Sequence, residues 1–265
     1  MALSIPVFVI NLDRREDRWV GISDQLDRLG IKPRRVEALD GVHATSEDFE
    51  PFVSLDGWAR RRDLDLASAA CIVSHRFALV RFLGETDASA ALILEDDVRL
   101  ASDLPKFLTA VEGVSLIKLD VDVDHPKARR RSLGAQVGII QGRQLHPIAS
   151  WIPGAGAYVV TRDTAGRILQ ACHGVTEAFD SIIFDLRISR LARQLRPVLV
   201  QPGLANHQAE VFTSDIARYR DTSPRTSELR RLATSLRKLP RRTFVGWQLA
   251  TGQAKRTKLW FADEV

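Results

Sequence analysis

The chain has 265 residues, 45% of them apolar and 27% charged, which is ordinary for a globular domain and excludes chain-wide disorder or a collagen-like repeat. No uninterrupted apolar run approaches the ~20 residues that cross a bilayer. The net charge of +5 is uneven: residues 216–265 hold 12 Lys/Arg against 4 Asp/Glu, while residues 1–215 carry a balance of −3, so a slightly acidic body precedes a basic tail.

The opening Met-Ala-Leu-Ser-Ile-Pro has no basic flank and reads as the start of a strand, not as a signal peptide. Ile5 to Ile10 is a short β-rich run that ends at Asn11. Asp13 is a candidate N-cap for a helix whose apolar positions Trp19, Ile22, Leu26 and Leu29 fall at helical spacing, and Gly30 stands where a C′ glycine belongs. Val36 to Leu39 returns as a second strand. The resulting strand–helix–strand unit predicts parallel pairing through a right-handed crossover.

Residues 41–65 read as loop, with His43, Pro51, Gly57 and the run Arg60-Arg61-Arg62. Residues 67–83 carry a helical pattern with Cys71, Phe77, Val80 and Leu83 as its apolar positions. Ala90 to Leu94 is a buried strand running into Glu95-Asp96-Asp97, and Val114 to Asp120 repeats that design. Residues 122–135, with Arg129-Arg130-Arg131, read as a mobile loop. Tyr158 to Val160 is a further strand, and Thr161 is a candidate N-cap for a helix reaching Cys172. Beyond Ser223-Pro224, Leu229, Leu232, Leu236 and Leu239 fall near one face of a basic amphipathic helix over 226–239. Alternating strands and helices predict an α/β domain. Two cysteines, Cys71 and Cys172, are too few for a disulfide framework and lack metal-thiolate spacing, so they read as small buried apolar residues.

Glu95-Asp96-Asp97 is the most informative tripeptide. Adjacent carboxylates repel unless something compensates them. In extended chain Glu95 and Asp97 project to one side, where a pair of carboxylates can bind a hard divalent cation. A strand's carboxyl end is also where open α/β sheets bind ligands. The plainer account is a solvated acidic turn. Asp120, at the end of another apolar strand, is either a supporting partner of that site or a turn residue.

Several ordered motifs over residues 5–205 resemble glycosyltransferase family 25, the lipopolysaccharide and collagen galactosyltransferases. They are Val7 to Arg14 with Asp17-Arg18, Ala38 to Gly41, Cys71-Ile72-Val73-Ser74-His75-Arg76, Leu92 to Val98, Gly154 to Arg162, and Phe179 to Asp185. Ser68-Ala69-Ala70 departs from that pattern, in which Gly-Glu-x-Gly precedes the cysteine. The resemblance implies a GT-A-like (Rossmann-like) nucleotide-sugar-binding domain over 1–215 with a basic, partly helical C-terminal extension over 216–265. It also implies a UDP-sugar donor, usually UDP-galactose, and an inverting transfer. Mn²⁺ or another divalent cation would sit at the acidic motif.

On that reading Glu95, Asp97 and His207 are candidate metal ligands. Asn11, Arg14, Arg18, Asp40, Gly41 and His75 are candidate donor-site residues: Asn11 for the uracil or ribose, the arginines for the diphosphate, and Asp40-Gly41 for the wall of the pocket. His75 is better suited to orienting the acidic motif than to ligating metal. Asp180 is the candidate general base, with Asp185 as its rival. Each has a plainer structural alternative: a capping Asn, a solvated helix face, a core or loop histidine. Trp58 and Trp151 can stack on sugars or pack the core equally well.

The implied activity is galactosyl transfer to a cell-surface glycan or glycolipid, such as a lipopolysaccharide core. The alternative is a non-catalytic nucleotide-sugar or glycan-binding protein of the same fold. The implied location is cytoplasmic, with the basic tail contacting the anionic inner face of the membrane. No nucleic-acid-binding motif accompanies the tail.

Overall fold

A computed structural model describes residues 5–50, 52–53, 66–124, 130–175, 177–207 and 243–261. Eight strands among them form a mixed sheet. Its first unit is β1 (Val7–Asn11), α1 (Glu16–Arg28) and β2 (Pro33–Glu37), with β1 and β2 parallel. Every residue of β1 is buried, which explains why its sequence is a continuous apolar run and not an alternating one. Helix α1 ends as its sequence predicts. Gly30 takes a φ of 70°, its N–H reaches Asp27 O, and the Ile31 N–H reaches back to Leu26 O, which closes a Schellman motif. Its start differs from expectation. Arg15 is the N-cap, and Asp13, 80% exposed, lies beside Arg35.

After α2 (Ser46–Phe49), helix α3 (Leu66–Glu85) leads to β3 (Ala90–Glu95), which joins β1 on the side opposite β2. By length and mean composition α3 is apolar enough to cross a membrane, although Arg76 and Arg81 interrupt its apolar run. Here it is a core helix. Its buried face runs through Ala69, Ile72, Val73, Leu79 and Phe82, whereas Phe77 and Val80 are exposed. The expected face was therefore misplaced, because a helix apolar nearly all round gives periodicity no contrast.

The chain then forms β4 (Val98–Leu100), α4 (Leu104–Leu108), β5 (Leu116–Lys118), β6 (Asp120–Val121), β7 (Arg130–Leu133), β8 (Gly138–Ile140) and β9 (Arg143–Pro147). It continues through β10 (Ala157–Thr161), α5 (Arg162–Ala171), α6 (Phe179–Phe184), α7 (Arg190–Leu195), β11 (Val198–Gln201), β12 (Ala205–His207) and β13 (Lys255–Lys258). The large sheet runs β2-β1-β3-β10-β5-β11-β9-β8, with β10 antiparallel to both β3 and β5. The sheet is thus mixed, although its first three strands are parallel. A second sheet, β4-β12-β6, crosses the carboxyl-end region and sets His207 opposite Val98.

Two expectations about loops and tail change. Residues 130–133 are not loop but strand β7, because β13 pairs with them antiparallel. The chain end returns to the body: Leu259 and Phe261 are buried, and the Arg99 guanidinium lies 4.8 Å from the Phe261 ring. Residues 243–250 are helical. The predicted helix 226–239, the run Arg60-Arg61-Arg62, Trp58 and Arg129 lie outside the described residues.

Candidate active site

Strand β1 is followed by β2 on one flank and neighbours β3 on the other, so the chain diverges between β1 and β3. In an open α/β sheet that divergence leaves a crevice at the carboxyl ends of the strands. A cleft lies there, walled by Leu12, Arg14, Arg18, the segment Ala38–Val42, one face of α3, and Glu95–Asp97. Gly41 is needed for this wall. A Cβ there would stand 2.8 Å from Leu66 O, so any side chain would push the segment off the start of α3.

The three carboxylates divide as strand alternation predicts. Asp96 turns into the protein, where Asn11 Nδ2 donates to Oδ2 at 2.7 Å and Arg18 Nη1 donates to Oδ1 at 3.1 Å. Burial raises its carboxyl despite these partners. Glu95 and Asp97 turn the other way and meet His207, with one ligand atom of each lying within 4.8 Å of the others. Burial, then Glu95, raise Asp97 to about 6. Glu95 is also desolvated, but the hydrogen bond to His75 holds its carboxyl below the usual range.

His207 is built into place by buried charge. Its Nε2 lies 3.0 Å from Asp120 Oδ2, and that oxygen also accepts from Lys118 Nζ at 2.7 Å. Both Lys118 and Asp120 have no exposed side-chain surface. Lys118 donates further to Gly154 O. Burial opposes charge on His207, but Asp120, then Asp97 and Glu95, carry it up to about 9. Of the two accounts left open for Asp120, the supporting partner is therefore the one observed. Lys118 went unnoticed in the sequence. The available signal was a lysine inside an apolar strand, two residues from an aspartate and so on the same face. Gly154 and Gly156 make room for the imidazole, since a Cβ on either would come within 2.8 Å of it.

His75 lies beneath Glu95. Its Nε2 is 3.1 Å from Glu95 Oε1, its Nδ1 is 3.2 Å from the Tyr158 hydroxyl, and its ring stacks on Phe179 at 4.1 Å. Cys71, one turn earlier on α3, is half-buried and faces the cleft; it is not the core residue expected. Its sulfur, His75 and Glu95 also lie within 4.8 Å of one another. Ser74 also lines the cleft, and its Oγ accepts from Leu39 N; Arg76 faces elsewhere, where Nη1 caps α5 through Leu169 O and Cys172 O.

The remaining candidates separate. Arg14 lines the cleft and pairs with Asp40 at 2.6 Å. Burial opposes ionisation of Asp40, but the Arg14 and Val42 N–H groups together lower its carboxyl. Arg18 lines the cleft while reaching Asp96 and, at 3.6 Å, Asp97. Asn11 is 1% exposed, and its amide is committed to Asp96, Arg15 O and Arg35 Nε. The geometry therefore makes Asn11 a brace for Asp96 and not a contact for a base or ribose.

Asp180 is half-buried at the start of α6, and Oδ2 accepts from Trp151 Nε1 and Gly154 N. Burial raises its carboxyl. Asp185 is 1% exposed and takes three hydrogen bonds from Arg187, whose guanidinium lies 5.1 Å from the Trp151 ring. Buried and paired in this way, Asp185 is unsuited to receive a substrate proton. Trp151 packs between Arg187 and Asp180.

The site fits a hard cation. Two carboxylates and an imidazole converge, and Asp97 Oδ1 is buried without a hydrogen-bond partner among the described residues. Such an orphaned anionic oxygen is costly unless something positive meets it.

No curated protein matches the chain. Among solved structures it is similar to a glycosyltransferase involved in the glycosylation of the major capsid of PBCV-1, at 10% identity and a TM-score of 0.40, over 82% of this chain and 97% of that one. Residues 4–183 match glycosyltransferase family 25, described as an LPS biosynthesis protein family. The chain belongs to glycosyltransferase family 25.

Proposed function

We propose that the protein is an inverting, GT-A-like galactosyltransferase that uses UDP-galactose and a divalent cation, with Mn²⁺ first in order, to extend a cell-surface glycan such as a lipopolysaccharide core. The observation that carries this reading is the convergence of Glu95, Asp97 and His207 beside the cleft between β1 and β3. Those three residues would hold the cation, which when bound offsets the charge of the departing diphosphate. Arg14, exposed on the cleft wall, is suited to bind that diphosphate. Asp40 orients Arg14, and Gly41 keeps the wall close to α3.

In the transfer, the acceptor oxygen forms a bond to the anomeric carbon as the bond to UDP breaks. The acceptor's hydroxyl proton passes to Asp180. Trp151 and Gly154 hold Asp180 Oδ2, and desolvation raises its affinity for that proton.

A panel of UDP-sugars, followed by UDP release with an acceptor present, tests the proposal. UDP-galactose should be the best donor, release should stop in EDTA, and Mn²⁺ should restore it. Full activity in excess EDTA removes the cation. UDP binding without any transfer or donor hydrolysis favours the non-catalytic alternative.

A further inference from the structure

Glu95 belongs to two clusters at once. On one side are Asp97 and His207, an oxygen-rich set suited to a hard cation. On the other are Cys71 and His75, which with Glu95 make a sulfur, nitrogen and oxygen set. We propose that Cys71, His75 and Glu95 form a second metal site, selective for a borderline or soft divalent cation such as Zn²⁺ or Cd²⁺, which competes with the first site for Glu95. This proposal rests on the hard-cation reading only for the competition; the thiolate site stands on its own geometry.

Three features favour it. Cys71 and His75 are four residues apart on α3, so both point from one helix face toward the end of β3. Their donor atoms and a Glu95 oxygen lie within 4.8 Å of one another, close enough for small side-chain adjustments to bring them round a tetrahedral ion with bonds of about 2.0–2.3 Å. The imidazole is already oriented: Phe179 stacks on the ring, and the Tyr158 hydroxyl is within hydrogen-bond reach of Nδ1. A proton on Nδ1, shared with Tyr158, leaves Nε2 facing Glu95 as the ligand atom, the support a metal-bound histidine usually has. The fourth position would open to the cleft.

A cysteine thiol without a metal is ordinarily protonated at neutral pH. Binding forms a sulfur–metal bond, and the thiol proton leaves to solvent. Zinc held there takes Glu95 away from Asp97 and His207, so zinc should inhibit an Mn²⁺-dependent reaction. Thiolate and imidazole ligands give the site its preference over Mn²⁺.

The test uses the full chain, stripped of metal and titrated with Cd²⁺. A thiolate-to-cadmium charge-transfer band should appear with about one proton released per ion. The band should vanish in Cys71→Ser, weaken by about tenfold or more in apparent affinity in Glu95→Gln, and persist in Cys172→Ser, whose thiol lies in the core. No band in the wild type, or a band that survives Cys71→Ser, overturns the proposal. Excess Mn²⁺ should raise the Cd²⁺ concentration needed; bound Mn²⁺ without that effect overturns the sharing of Glu95. Mn²⁺ binding by Cys71→Ser, read from the spin resonance of free Mn²⁺, separates the two readings. Failure of Mn²⁺ to bind that variant, with the cadmium band intact in the wild type, removes the hard-cation site alone.

Discussion

A Cβ placed on Gly154 would stand 2.8 Å from His207 Nε2. The same glycine donates its N–H to Asp180 and accepts from Lys118 Nζ. One backbone unit thus joins the proposed base, the buried lysine and the third candidate metal ligand. Its φ of 84° favours glycine on conformational grounds as well.

Gly156 tests that crowding without a backbone penalty, since its φ is not in the left-handed region. A Cβ there would lie 2.7 Å from His207 Cε1 and 3.0 Å from Val98 Cγ1. Gly156→Ala should lower Mn²⁺ affinity about tenfold or more and cost about 1–3 kcal/mol of stability from overpacking. In a His207→Ala background the same change should cost less, because the two positions are coupled. Metal titration and denaturant unfolding check both points; unchanged Mn²⁺ affinity would refute the first.

Lys118 and Asp120 form a pair without exposed surface. Lys118→Met removes one charge and leaves the other partly stranded, with only His207 to oppose it, which should cost at most about 3–5 kcal/mol. Chemical denaturation measures it. Replacing both residues with apolar ones should cost less than Lys118→Met alone if the stranded charge is the cause, and the opposite order would exclude that cause.

The two aspartates near α6 should behave differently. Asp180→Asn should lower kcat by roughly 10²–10⁴ with UDP affinity little changed. Asp185→Asn weakens the anchor for Arg187 and should lower the melting temperature, with a smaller effect on kcat. Steady-state kinetics and thermal unfolding on both variants decide it; the reverse pattern would make Asp185 the base.

Arg14 and Asp40 are both solvent-accessible, so their ion pair contributes little to stability. Arg14→Ala should therefore leave unfolding unchanged. A lost charge-assisted contact to the diphosphate should raise the donor KM by about 10- to 100-fold. Unchanged KM removes Arg14 from donor binding.

Features under local physical control were legible in the sequence. Continuous apolar runs marked β1 and β3 because both are buried on two faces. Gly30 marked the end of α1 because only a residue at ease with positive φ closes that motif. Strand alternation put Glu95 and Asp97 on one side and Asp96 on the other, and the ordered motifs identified the family. Long-range contact decided the rest. Helix α3 is apolar nearly all round, so only packing against the sheet selected its buried face. Strand β7 depends on β13, over a hundred residues later, and no local pattern announces such a partner. Asn11 and Asp185 look available in a sequence, but burial and hydrogen bonding commit both to the protein. His207 reaches Asp97 only because β12 pairs with β4 and β6, and it stays there only because Lys118 and Asp120 hold it beneath two glycines. Convergence of charges distant in sequence is a property of the tertiary fold, because burial and strand pairing, not spacing along the chain, set which of them meet.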